Sequence, residues 1–196
     1  MAAVLLAVSA VAAGHQPSAS AGTGASEQGL AFSLDVGGAF RLVDHNGVPR
    51  SDQDFYGRYL LVFFGYANCR SMCPVGLRRM AQAVDKLGET ADAVQPVMIT
   101  VDPDNDTPAV MRRELAKIQS RLLGLTGSQE ALDAVYRAYR LKPEHVGTDL
   151  AGNTVISHSS YIYLMAPDGT LATLIPPILS PRRMSEIIAT YIAGEG

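Results

Sequence analysis

The segment that most constrains this chain is an apolar run followed by two cysteines and a helix-like pattern. Residues 58–64 are almost continuously apolar, which is typical of a strand buried on both faces. Cys69 and Cys73 follow it and are the only cysteines of the sequence. Pro74 suits the first turn of a helix, where its missing N–H costs nothing. A thiol pair at such a turn can bind a soft metal ion or cycle as a disulfide.

The order of the other patterns predicts the fold class. Residues 94–101 and 122–125 are expected to form further strands, with helix-like spacing between the runs. Residues 155–165 are predicted to form one long strand, with 171–175 as its hairpin partner and a last helix starting at Pro181. Strands that alternate with helices up to a closing hairpin indicate an α/β fold with parallel crossovers. A thioredoxin-like (peroxiredoxin-like) central mixed sheet flanked by helices satisfies this order.

An N-terminal β-hairpin is predicted to precede this sheet. A short alternating strand at residues 39–43 leads into Asn46-Gly47, a pair that favours the positive φ angles of a tight hairpin turn. His45 in this turn is expected to be a solvated turn residue rather than a ligand. Residues 142–153, which include His145, are interpreted as a variable loop.

The first 29 residues are expected to lie outside the folded domain. Residues 2–13 are apolar, which matches a signal-peptide core and falls short of the ~20 residues that span a bilayer. Residues 14–29 are rich in glycine, serine and alanine and are interpreted as a flexible tether. We therefore predict a signal peptide or clipped membrane anchor with its tether over 1–29, and one domain over 30–196. Export, to a periplasm, would place the dithiol in an oxidising environment.

Composition limits the classes of partner. The chain has 196 residues and a net charge of −3, without a block of like charge. Nothing in this pattern indicates a nucleic-acid-binding face.

The predicted fold places the thiols where α/β sheets carry their sites, beyond the carboxyl end of a central strand. The helix N-terminus there lowers the pKa of a thiol. Three residues separate Cys69 from Cys73, one more than in a Cys-x-x-Cys motif. The wider loop allows both sulfurs to hold a metal while they can still close into a disulfide. Thiolates favour Cu(I) over hard cations.

A third copper ligand would have to come from elsewhere, and the candidates are the four histidines His15, His45, His145 and His158. His158 leads the strand expected over residues 159–165, whose leading edge faces the cysteine loop in a thioredoxin-like fold. Disulfide oxidoreductases of this fold keep a cis-proline just before that strand, and residues 156–160 contain none. This absence favours a metal site over general disulfide exchange.

Several short motifs occur together, in a fixed order along about four-fifths of the chain. They are Gly37-Gly38-x-Phe40, Phe64-Gly65-Tyr66 with Cys69 and Cys73-Pro74, Ile99-Thr100-Val101-Asp102-Pro103 with Asp106-Thr107, Gly124-Leu125-Thr126-Gly127, His158-Ser159, and Tyr163-Leu164-Met165 with Pro167-Asp168-Gly169. In this combination residues 37–193 resemble the SCO/SenC family of copper proteins.

The resemblance implies a thioredoxin-fold domain that binds copper through Cys69, Cys73 and His158. It implies delivery of Cu(I), or of Cu(II) with an added oxygen ligand, to the binuclear copper site of cytochrome c oxidase. The expected partners are the copper-bearing subunit of that oxidase, another periplasmic copper chaperone and a thioredoxin-like reductant. Two alternatives use the same thiols. One is a thiol-disulfide reductant that keeps the oxidase copper-ligand cysteines reduced, and the other is a peroxiredoxin-like peroxidase.

The sequence departs from the family pattern at three places. Arg70-Ser71-Met72 lies between the cysteines, Ser157 stands where the family often has Asp before the ligand histidine, and Asn105 stands where Arg is frequent. Arg70 should stabilise neighbouring thiolates. These changes leave the expected ligand set intact and bear on the identity of the recipient. Asp102, Asp104 and Asp106 are interpreted as loop scaffolding and helix capping near the site.

Overall fold

The computed structural model describes residues 36–67, 69, 73–150, 152–159, 161–194 and 196, with Cys73 described through its backbone. The predicted signal peptide or anchor over residues 1–29 lies outside this part of the chain. Within it, nine strands form in chain order: β1 (Arg41–Asp44), β2 (Pro49–Ser51), β3 (Tyr59–Gly65), β4 (Val94–Thr100), β5 (Leu123–Thr126), β6 (Glu144–Thr148), β7 (Thr154–Ser157), β8 (Ile162–Met165) and β9 (Leu171–Ile175).

Seven of these described strands form one mixed sheet in the order β2-β1-β5-β4-β3-β8-β9. Strand β3 pairs in parallel with β4 and antiparallel with β8, so that Phe63 lies opposite both Met98 and Ile162. Because β3 is central, its residues from Leu60 onward are buried. The apolar run of the sequence is continuous because the strand is buried on both faces, as expected.

Four described helices flank the sheet: α1 (Cys73–Asp85), α2 (Pro108–Leu115), α3 (Gln129–Ala138) and α4 (Pro181–Ile192). The side chains of Thr107 and Ser128 accept the first backbone N–H groups of α2 and α3, as N-cap residues do. The predicted α/β class, the N-terminal hairpin β1–β2 and the closing hairpin β8–β9 are confirmed. No helix of the described segments is long and apolar enough to cross a membrane.

The single long strand predicted over residues 155–165 is wrong. Strand β7 ends at Ser157 and β8 begins at Ile162. The physical reason is the pairing. Strand β7 pairs with β6 in a separate two-stranded sheet, whereas β8 pairs with β3 in the central sheet, so the chain must leave one sheet before it enters the other.

The loop predicted over residues 142–153 is also wrong in part, because it contains β6. Strand β6 is mostly exposed, and its pairing with β7 is irregular between His145 and Gly147. An exposed ribbon needs no apolar alternation, so the sequence carries little sign of it. We call the β6–β7 unit, residues 144–157, the ribbon.

His45 is not the solvated turn residue that the sequence predicts. Its Nδ1 accepts the backbone N–H of Gly124 at 3.0 Å, and its own N–H donates to the Gly124 carbonyl at 2.9 Å. Burial lowers the pKa of His45, which suits an imidazole nitrogen acting as an acceptor. His45 thus joins the β1–β2 turn to β5 and has a structural role.

Candidate metal centre

The turn that carries the first cysteine begins where β3 ends. Val101 donates its N–H to the Gly65 carbonyl at 2.9 Å, and this hydrogen bond joins the end of β3 to the residue after β4. Tyr66 then opens a turn in which the Cys69 N–H donates to the Tyr66 carbonyl at 3.2 Å. Cys69 is buried, with 6% of its surface exposed. Cys73 is the first residue of α1, so the second cysteine stands at the helix N-terminus, as the sequence predicts.

His158 follows the ribbon directly and is half-buried. Its imidazole lies edge-on to two aromatic rings, with ring centroids 6.2 Å from Phe63 and 6.4 Å from Tyr66. Its Nδ1 lies 2.8 Å from the Ser159 carbonyl oxygen. A carbonyl only accepts hydrogen bonds, so this contact requires the proton on Nδ1 and leaves Nε2 as the nitrogen with a lone pair.

Tyr66 connects the two candidate ligands. Its carbonyl accepts the N–H of Cys69, and its ring packs against the imidazole of His158. The residue is 5% exposed, so the contact is fixed by burial on all sides. Sequence reasoning named Tyr66 only as part of a motif and missed this role. The signal that could have found it is the aromatic residue placed directly after a buried strand and before the cysteines.

The other histidines are placed elsewhere. His145 is exposed on β6, and His45 bonds to β5. His15 lies outside the described residues, as do the intervening residues Arg70-Ser71-Met72. Among the side chains that the structure describes, no three His, Cys, Asp or Glu residues are grouped to hold a metal ion. A thiolate and an imidazole are donors that suit Cu(I), so the described part of the site fits that ion chemically.

The buried carboxylate of Asp106 holds the turn that leads to Cys69. Asp106 is fully buried and accepts the Ala67 N–H, while the Thr100 hydroxyl donates to it at 2.6 Å. Burial raises the pKa of Asp106 to about 6, and the hydrogen bonds from Thr100 and Ala67 oppose that rise. The interpretation of Asp106 as scaffolding near the site is confirmed.

The neighbouring Asp102 is held by the same segment. Its backbone N–H donates to the Thr100 hydroxyl at 2.9 Å, and the Asn105 amide donates to both of its carboxylate oxygens at 3.0 Å. Asn105, one of the departures from the family pattern, therefore orients Asp102. Together with Tyr66 these two residues line a small polar cavity of about 190 Å³.

A cysteine turn beyond the carboxyl end of a central strand, followed by a helix that begins at the second cysteine, is the arrangement of a thioredoxin-like domain. Comparison with known proteins agrees. The SCO1/SenC family model matches residues 28–193, and the chain belongs to this family. The resemblance that the sequence motifs indicate is thereby confirmed.

Two curated relatives show the extent of the similarity. The chain is 39% identical over 158 residues to the mitochondrial SCO2 homolog of Mus musculus, a match that covers 80% of this chain and 62% of that protein. It is 35% identical over 136 residues to the mitochondrial SCO1 homolog of Homo sapiens, a match that covers 68% of this chain and 45% of that protein. The chain thus spans about half to three-fifths of these relatives' length.

Two solved structures confirm the thioredoxin-like fold. Bradyrhizobium japonicum ScoI with copper bound is 33% identical, with a TM-score of 0.74 and coverage of 80% of this chain and 99% of that one. Arabidopsis thaliana ScoI with copper bound is 28% identical, with a TM-score of 0.76 and coverage of 81% and 99%. Both of these related proteins were solved as copper complexes.

Proposed function

We propose that this protein is a copper metallochaperone that binds Cu(I) through Cys69, Cys73 and His158. The observation that carries the proposal is the position of Tyr66, whose carbonyl binds the turn of Cys69 and whose ring contacts His158. One residue thus contacts both the backbone of Cys69 and the imidazole of His158. The copper complexes of the two ScoI relatives support the choice of metal.

The protein's own residues prepare the donors. The Ser159 carbonyl fixes the proton on Nδ1 of His158, so that Nε2 can donate to a metal. Cys73 is the first residue of α1, and a helix N-terminus favours negative charge. In this proposal copper is the cargo, and the family resemblance supports its delivery to the binuclear site of cytochrome c oxidase. The copper-bearing subunit is then the recipient.

An anaerobic titration of the reduced protein with Cu(I), against a competing chelator, tests the ligand set. We expect about one copper per chain, loss of tight binding in Cys69→Ser and His158→Ala, and unchanged binding in His145→Ala. His145 is the matched control because it is exposed on the ribbon next to the site. A stoichiometry near one that survives both Cys69→Ser and His158→Ala would contradict the proposal. Affinity should fall as the pH falls, because protons compete for the sulfurs.

A second function uses the same thiols without metal. The placement of Cys69 before a helix that begins at Cys73 also suits a thiol-disulfide reductant of the oxidase cysteines. Its redox potential discriminates the two functions. Failure of the reduced protein to reduce a peptide disulfide, in which the two cysteines are spaced like a copper-ligand pair, would exclude this role. The peroxidase alternative is tested by peroxide turnover with a thiol donor. Its main argument, Arg70, lies outside the described residues.

A further inference from the structure

A groove of about 230 Å³ lies between the cysteine turn with α1 on one side and the end of α2 on the other. Leu77 and Leu115 are buried beneath it, and Ile118 is half-buried at its side. The volume is smaller than the 300–1,000 Å³ that is typical of small-molecule sites. The groove therefore suits one apolar side chain of a longer molecule better than a whole cofactor.

Cys69 forms part of the wall of this groove. Since only 6% of the residue is exposed, the groove is the opening through which its sulfur can be approached from the side of α1 and α2. His158 packs against Phe63 and Tyr66 and is absent from the groove lining. A partner could therefore reach the sulfur without first displacing the imidazole.

The rim of the groove carries an excess of positive charge. Arg78 and Lys117 are exposed on its two sides, and Glu114 is the carboxylate on the rim. Both oxygens of Glu114 are engaged, one by Lys117 at 2.6 Å and the other by Arg113 at 2.8 Å. Arg78 and Lys117 in the lining, with Arg113 next to it, thus outnumber the one carboxylate of the lining, in a chain whose net charge is −3. An approaching acidic group would meet a local field opposite in sign to the protein's overall charge.

We infer that this groove docks an extended acidic segment of a thiol-bearing protein partner. In this arrangement an apolar side chain of the partner fills the groove over Leu77, Leu115 and Ile118. Its carboxylates face Arg78 and Lys117, and its thiol reaches Cys69. The inference rests on the proposed function, because it assigns the recognition chemistry of the partner to the same site.

Thiol-disulfide exchange with synthetic peptides tests the inference. The probe is a short peptide with one cysteine, a neighbouring leucine and flanking glutamates, activated as a mixed disulfide with thionitrobenzoate. A second probe has lysines in place of the glutamates. In a Cys73→Ser background the Cys69 thiolate attacks the peptide sulfur. A Cys69–peptide disulfide forms, the original S–S bond breaks, and thionitrobenzoate leaves with the electron pair, which gives a coloured signal.

We expect the glutamate peptide to react about 10-fold faster than the lysine peptide at low ionic strength, with the difference shrinking as salt is added. Arg78→Glu combined with Lys117→Glu should abolish the preference. Arg41→Glu combined with Arg58→Glu makes the same change in net charge at exposed arginines outside the groove. This control should keep most of the preference for the glutamate peptide. Replacement of the peptide leucine by serine should slow the reaction.

Equal rates for the two peptides, failure of both to react, or an equal loss in the two double variants would overturn the inference.

A Cu(I) titration of the Arg78→Glu, Lys117→Glu protein with both cysteines present separates the docking inference from the metallochaperone proposal. If the two-cysteine proteins bind copper but the Cys73→Ser protein shows no preference for the glutamate peptide, the docking inference alone fails. If the Cys73→Ser protein shows that preference but neither the wild type nor the Arg78→Glu, Lys117→Glu protein binds copper, the metallochaperone proposal alone fails.

Discussion

The carboxylate of Asp106 accepts the backbone N–H of Ala67 through both of its oxygens, at 3.1 and 3.0 Å, across 39 positions of sequence. Ala67 lies two residues before Cys69, inside the turn that presents the thiol. The loop after β4 therefore anchors the turn after β3 by a buried, charge-assisted hydrogen bond, which is stronger than a neutral one.

Replacement of Asp106 by Asn should change how stability depends on pH. The pKa of this carboxyl is about 6 in the folded protein, above its ordinary 3.8. The native state therefore binds more protons than the unfolded state between these values, and stability falls as the pH rises from about 4 through 6. The fall should be on the order of 3 kcal/mol and should be absent in Asp106→Asn.

Urea denaturation of the reduced, metal-free protein at a series of pH values measures this effect. Asp104→Asn is the matched control, because Asp104 is exposed in the same loop. Stability profiles of the wild type and Asp106→Asn that run parallel from pH 4 to 7 would contradict the assignment.

Removal of the Tyr66 ring should loosen His158 and weaken copper binding. Residues that orient metal ligands typically contribute 10- to 100-fold in affinity, so we expect a loss of about 10-fold in Tyr66→Leu. Tyr66→Phe keeps the ring and its edge contact with the imidazole, and should retain most of the affinity. Competition titrations with a Cu(I) chelator measure the difference, and equal affinities in the two variants would argue against the orienting role.

Gly37 should tolerate a side chain poorly. Its φ is +102°, and a Cβ atom there would lie 2.5 Å from the Cε of Met165, a buried residue of β8. We expect Gly37→Ala to lower the free energy of unfolding by ~3 kcal/mol, from backbone strain and overpacking together. Gly88→Ala isolates the first term, because φ there is +59° with no neighbour within 4 Å, and should cost about 1 kcal/mol. Equal losses in urea denaturation would show that Met165 moves aside without cost.

Arg79 should hold the segment between β9 and α4 against α1. Its guanidinium donates to the carbonyls of Pro177 and Ile178 at 3.2 and 2.8 Å. Arg79→Ala should cost about 1 kcal/mol of stability and speed amide hydrogen exchange at Ile178 and Leu179. Arg78→Ala removes the exposed neighbour and should change neither. Exchange rates unaltered by Arg79→Ala would mean that this segment is held by packing alone.

Local chemistry in the sequence predicted much of the fold and part of the site. The apolar runs of β3 and β4 and the Asn46-Gly47 turn depend on neighbouring residues and were predicted correctly. The start of α1 at the second cysteine followed from the same local signals.

Features that depend on distant partners were not predictable in this way. The bond of His45 to Gly124 spans 79 positions, and nothing in the hairpin turn indicates it. The break between β7 and β8 arises because the two strands pair in different sheets, which periodicity along one chain cannot show. The roles of Asp106 and Tyr66 likewise come from contacts across the fold. The proposed ligands Cys69, Cys73 and His158 stay a prediction until copper binding is measured.

The ribbon gives the proposed ligands unequal anchorage. Cys69 follows β3, an interior strand of the seven-stranded sheet within the described chain, whereas His158 follows a two-stranded unit whose strand β6 is mostly exposed. Exposed elements with few buried contacts open at a lower free energy than core strands do. Opening of the ribbon would move the imidazole of His158 away while Cys69 keeps its place. We therefore expect the histidine to be the proposed ligand that is lost first when the cargo is released.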